Sequence, residues 1–172
     1  MINDLVRSAV DTVSGADAGG VSVASEGESA SHGSTSEAAA DLDAVQHALH
    51  EGPCLTALAG PRTAGIVVAG DLSGSDARRW PRFAAPAVEL GYLAALSLPL
   101  PALPGTGAAL NLYGRAADSF EPGDVVLADM FVAHLAVLMF GEAALGDRVP
   151  LPEMGPEVEE RLQHLRRPPA QP

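Results

Sequence analysis

Apolar residues recur at helical spacing over residues 2–14, where Ile2, Leu5, Val6, Ala9, Val10 and Val13 fall on one side and Asn3, Asp4, Arg7 and Asp11 on the other. That pattern predicts an amphipathic opening helix that stops near Gly15. The period then changes. Residues 20–25 alternate like a half-buried strand, Glu26-Gly27-Glu28 suits a turn, and a weaker second strand is expected near residues 30–36. From Glu37 onward Leu42, Val45, Ala48 and Leu49 restore a helical spacing that ends at Gly52. Pro53 suits the first turn of a short new helix, where its missing N–H has no partner to lose.

Residues 66–68 read as a buried strand and residues 71–76 as a polar loop. Residues 81–90 follow as a helix closed by Gly91 and made irregular by Pro86. Residues 92–100 and 108–113 predict two strands, and Pro104-Gly105 between them supports an antiparallel hairpin. Ser119 is the expected N-cap of a last long helix reaching Phe140, with Glu121 and Asp124 near its positive end. This helix is apolar around much of its circumference, so the sheet can cover only one side of it.

The order helix, two strands, helices, strand, helix, hairpin, helix predicts an α+β domain: an antiparallel β-sheet with helices packed on its faces. Residues 1–143 form that domain. Residues 144–172 read as a proline-rich linker with a short amphipathic helix over 157–165, striped by Val158, Leu162 and Leu165, and a frayed end. The stripe suits folding back on the domain or gripping a partner protein.

Composition narrows the function. The chain has 172 residues, enough for one domain with a core, and its 47% hydrophobic content is that of a globular protein. A net charge of −12, with ten arginines and no lysine, repels phosphate backbones and anionic lipid, so neither nucleic acid nor membrane is expected as a partner. The run over residues 125–140, interrupted by Asp129 and His134, reads as too short and too polar to span a bilayer. No signal-peptide core opens the chain, and a single cysteine fits a reducing compartment, so the expected location is the cytoplasm.

Candidate chemistry is sparse. Cys54 sits at the start of a short helix, which favours a thiolate, whereas the neighbouring Glu51 opposes one. It reads either as a small buried apolar residue or as a redox-sensing thiol. His47, His50, Glu51 and Cys54 are all metal-ligand types, but Gly52-Pro53 interrupts the helix between them. No metal or cofactor is expected. Trp80, Phe83, Tyr92, Asn111 and Tyr113, together with Cys54, are the candidates for a small-ligand pocket between sheet and helices. On the strand over 108–113, Ala109, Asn111 and Tyr113 share one face and Leu110 and Leu112 the other. Trp80 and Phe83 read equally well as plain packing. No nucleophile, base and orienting group come together in the pattern, so the chain is not expected to be an enzyme.

Five stretches carry a family likeness: His50-Glu51-Gly52-Pro53-Cys54-Leu55, Arg79-Trp80-Pro81-Arg82-Phe83, Leu90-Gly91-Tyr92 leading into Leu96-Ser97-Leu98-Pro99-Leu100, the strand from Gly107 to Tyr113, and Phe120-Glu121-Pro122-Gly123-Asp124. In this order, over residues 1–141, they resemble a GAF domain, and in particular the sensor half of bacterial GAF–ANTAR antitermination regulators. The resemblance implies a small-molecule sensor in signal transduction or transcription control. Its terminal helices would pair in a homodimer and relay ligand state to a partner. The alternative is a degenerate GAF domain kept as a dimerisation scaffold without ligand, or less favourably a Cys54-based redox sensor.

The departures are also informative. Only 31 residues follow Gly141, without a basic face, so the RNA-binding ANTAR part is expected to be missing. The lysine-containing signature of cyclic-nucleotide GAF domains cannot occur in a chain without lysine. Methionine-sulfoxide-reducing GAF enzymes use several cysteines, and bilin-binding ones place a cysteine in a later loop, where this chain has none.

Overall fold

Alternation along the strands sorts side chains into two cores, one on each face of a single sheet. A computed structural model describes residues 1–60 and 65–145. Its helices are α1 (Ile2–Thr12), α2 (Glu37–Leu49), α3 (Pro53–Ala59), α4 (Pro81–Glu89) and α5 (Pro122–Phe140). The strands are β1 (Ala18–Ser25), β2 (Glu28–His32), β3 (Val67–Ala69), β4 (Ala94–Pro99) and β5 (Thr106–Gly114). They form one antiparallel sheet in the order β2-β1-β5-β4-β3. The helix expected over residues 157–165 lies outside the described residues.

Leu110 and Leu112 of β5, Leu96 and Leu98 of β4 and Val21 of β1 point to one face, where Val6 and Val13 near α1 and Val132 and Leu135 of α5 cover them. Tyr113 of β5, Ala95 of β4 and Ala18 of β1 point to the other. There they meet Leu42 of α2, Ala57 of α3, Phe83, Ala84 and Ala87 of α4, and Trp80. The expected division of the β5 side chains between two faces is therefore observed. Three layers result, with α1 and α5 on one side of the sheet and α2, α3 and α4 on the other.

Several boundaries shift by a residue or two, and two differ from expectation for a clear reason. The second strand is Glu28–His32 rather than 30–36, because Glu26 and Gly27, at φ of 53° and 84°, make a tight turn that brings the chain straight back along β1. The N-cap of α5 is Glu121, not Ser119. Glu121 and Asp124 form a reciprocal capping box, and the Ser119 hydroxyl instead donates to the Gly15 carbonyl at 3.1 Å. Asp124 also accepts from the backbone N–H and hydroxyl of Ser14, at 3.0 and 2.9 Å, which ties the end of α1 to the start of α5.

By length and composition α5 is long and apolar enough to cross a membrane, contrary to the reading of residues 125–140 as too short and polar. In the fold it lies along the sheet and against α1, burying Ala128, Val132, Leu135 and Ala136. Its outer side keeps Val126 and Met130 exposed, at 65% and 64%. The sheet covers one side of α5 and leaves this strip open.

Candidate functional site

The sheet face under α2 carries polar side chains where an apolar layer would be the simpler solution. Asn111 of β5 stands opposite Ser97 of β4 and Gly20 of β1. The Ser97 hydroxyl donates to Asn111 Oδ1 at 2.8 Å, and Asn111 Nδ2 donates to Ser22 Oγ at 3.1 Å and Asp43 Oδ1 at 3.0 Å. The Tyr113 hydroxyl donates to the same Asp43 oxygen at 2.6 Å. Asp43 Oδ2 accepts from the Ser31 hydroxyl of β2 at 2.6 Å. Gln46, one turn beyond Asp43 on α2, donates to the Tyr113 oxygen at 2.9 Å and accepts from the Cys54 backbone N–H at 2.8 Å. One chain of hydrogen bonds thus runs from β4 through β5 and β1 to α2, β2 and the start of α3.

Burial sets the electrostatics of this network. Asp43 is 1% exposed, and loss of hydration pushes its carboxyl above the ordinary value, opposed by hydrogen bonds from Ser31, Tyr113, Asn111 and Ser22. Burial, followed by the negative charge of Asp43, raises the Tyr113 hydroxyl well above its ordinary value. Cys54 is fully buried, and its thiol is pushed up to about 12, chiefly by burial. The thiolate-favouring effect of the α3 N-terminus is overwhelmed, so Cys54 behaves as a small apolar residue in the fold. The neighbouring backbone is equally constrained: a Cβ on Gly52, at φ 147°, would lie 2.3 Å from Gln46 Oε1.

The six sequence candidates are all buried. Trp80, Phe83, Tyr92 and Tyr113 share the core beneath α4, with the Tyr92 and Tyr113 ring centroids 6.0 Å apart. Trp80 donates its indole N–H to Thr56 at 2.9 Å, and Arg79 stacks over its ring at 4.1 Å. Asn111 and Tyr113 enter the network through Asp43. Glu51 turns away from Cys54 to cap α4, accepting from the backbone N–H groups of Arg82 and Phe83 at 2.6 and 3.0 Å. Among the described residues no group of three or more histidine, cysteine, aspartate or glutamate side chains is placed to hold a metal ion.

Sequence reasoning missed Asp43 and Gln46. The buried positions of α2 are Ala39, Leu42, Asp43 and Gln46, spaced three, one and three apart. That spacing was present in the sequence as a helix face with two polar members.

An open cleft of about 360 Å³ lies between β2 and α2, lined by Ser29, Ser31, Asp43, His47 and His50 among others. His47 lines this cleft, and its Nε2 is buried without a hydrogen-bond partner. Burial, with some help from the charge of His50, lowers the His47 pKa. On the opposite side of the sheet, a larger apolar groove of about 650 Å³ runs between α1 and α5, lined by Leu5, Val137 and Leu138 among others.

No protein-family profile and no curated protein matches the sequence. Solved structures do match in shape. GAF3 from Slr1393 of Synechocystis sp. PCC6803, in its photoproduct state, superposes with a TM-score of 0.56 at 16% identity, over 86% of this chain and 98% of that one. The fold is GAF-like. A domain assigned to a two-component sensor histidine kinase protein of Sinorhizobium meliloti 1021 superposes equally well, with a TM-score of 0.56 at 12% identity over 93% of this chain and 97% of that one. The type II free methionine-R-sulfoxide reductase of Thermoplasma acidophilum gives a TM-score of 0.44 at 16% identity, over 80% of this chain and 98% of that one. Within the GAF-like frame, the polar network occupies the sheet face covered by α2, α3 and α4, and the α1–α5 groove the other.

Proposed function

We propose that this chain is a sensory module of the cytoplasm, acting in signal transduction or transcription regulation. In this reading it binds a small molecule at the α2 side of its sheet and relays the bound state to a partner protein through α1 and α5. The observation that carries the proposal is the cleft between β2 and α2, whose wall includes Asp43, the centre of the buried network. A ligand touching Asp43 contacts groups connected across β2, β1, β5 and β4, and α5 packs against β4 from the other face of the sheet. Such a ligand shifts the protein only by binding one arrangement of these groups better than another. Asn111 and Tyr113 take part directly through Asp43, while Trp80, Phe83, Tyr92 and Cys54 form the packed wall behind the site. The exposed strip of α5 and the α1–α5 groove are the surface through which two copies pair in a homodimer. Similarity to a kinase-associated domain and to GAF3 supports a sensory role. Catalysis, a metal and a nucleic-acid partner have no place in this reading.

A second reading has one observation in its favour. The six candidate side chains are buried against their own neighbours, as in a GAF-like scaffold that keeps the fold for association alone. Thermal unfolding separates the two. Low-molecular-mass fractions of extract from the source cells should raise Tm if a ligand binds the native state. A Tm unchanged by every fraction would favour the scaffold.

A further inference from the structure

We propose that the β2–α2 cleft takes a small organic cation, a protonated primary amine, with Asp43 as its counter-ion. This rests on the reading of the protein as a ligand-binding module and names the ligand class of that same site. The polar side chains of the cleft wall are the Asp43 carboxylate, the Ser29 and Ser31 hydroxyls and the His47 and His50 rings. A carboxylate only accepts hydrogen bonds, hydroxyls accept as well as donate, and a neutral imidazole offers one bare nitrogen. No arginine or lysine lines the cleft, so an anionic ligand finds no charge partner and meets a carboxylate instead.

Two groups in the wall are incompletely matched. Asp43 is surrounded by neutral donors alone, and the ion pairs among the described residues belong to Asp4 and Asp76. His47 Nε2 has no partner although buried. With the ring neutral and its proton on Nδ1, Nε2 accepts a hydrogen bond from an incoming N–H. Asp43 and His47 are four residues apart on α2 and so project from the same face of the helix. An ammonium group carries three N–H donors, which suits a wall whose polar groups are a carboxylate, serine hydroxyls and an imidazole nitrogen.

Size and charge agree with this ligand class. About 360 Å³ is within the range of small-molecule sites, and a net charge of −12 draws cations toward the surface. The absence of a third metal-type ligand in position, among the described residues, favours an organic cation over a metal ion.

The test is an NMR titration of the full ¹⁵N-labelled chain with butylamine, butan-1-ol and butyrate, each to millimolar concentration. Butylamine should shift the backbone amides of residues 29–31 and 43–48 in a saturable way and bind at least tenfold more tightly than the alcohol, with butyrate inert. Ala48→Trp, at an exposed position in the cleft wall, should abolish those shifts while leaving the rest of the spectrum folded. Asp43→Asn should weaken butylamine at least tenfold. Equal binding of alcohol or butyrate would overturn the cation assignment. So would butylamine shifts that survive Ala48→Trp, or no shift with any of the three probes. If extract fractions still raise Tm after such a result, the sensory reading stands and only the ligand class falls.

Discussion

Asn111 shows how one side chain organises this protein. It donates to Asp43 and Ser22 and accepts from Ser97, joining three strands and a helix at a fully buried point. Asn111→Leu would leave Asp43 a donor short and Ser97 without its acceptor. The expected loss of stability is roughly 2–4 kcal/mol, measured by urea unfolding, because breaking a buried network from one side strands the other partners. Asp43 gives a pH signature of definite sign. Its folded pKa is raised, so between the ordinary carboxylate value and that raised value the native state holds more protons than the unfolded one. Stability attributable to Asp43 therefore falls as pH rises through that window, and Asp43→Asn should flatten the fall in a pH series of unfolding curves. Cys54 should resist iodoacetamide in the native protein at pH 8 and react once urea unfolds the chain. The inward direction of Asn111 and Tyr113 was legible in the alternation of β5. What they touch was not, because the partner Asp43 comes from a helix far away in sequence.

Among the elements, the long periodic helices and the β4–β5 hairpin were legible because repeated apolar positions mark them over many residues. Their ends were legible only where the cap is local. Ser36 caps α2, accepting from the Ala39 N–H at 3.1 Å, just before the expected start at Glu37. At α5 two local candidates competed, and the reciprocal pair Glu121 and Asp124 displaced Ser119. The start of α4 depends on a distant residue. Glu51, more than thirty positions upstream, supplies the acceptor for two N–H groups of its first turn. Glu51→Ala should destabilise the fold by about 1–2 kcal/mol in chemical unfolding, with Glu51→Gln closer to wild type because it keeps an acceptor oxygen. Burial opposes ionisation of Asp124, yet hydrogen bonds from Glu121 and Ser14 hold its pKa below the ordinary value. Its contribution is present above that ordinary value and is lost as pH falls through the lower folded one.

At the scale of the whole molecule, the sheet separates two surfaces of different character. The α2 side has a polar cleft connected to a buried network, and the α1–α5 side an apolar groove beside an exposed strip. An antiparallel sheet with helices on its faces was legible from the order of elements, whereas the assignment of helices to faces depended on contacts distant in sequence. Pairing through the apolar side predicts that Met130→Glu, at a position 64% exposed, shifts sedimentation toward the monomer while the circular-dichroism spectrum stays that of the folded domain. The central claim, that a dimeric sensory module carries a small molecule, is tested most directly by native mass spectrometry of the protein from its source cells. The account predicts a dimer with added mass that disappears on denaturation. A monomer of bare chain mass would contradict it.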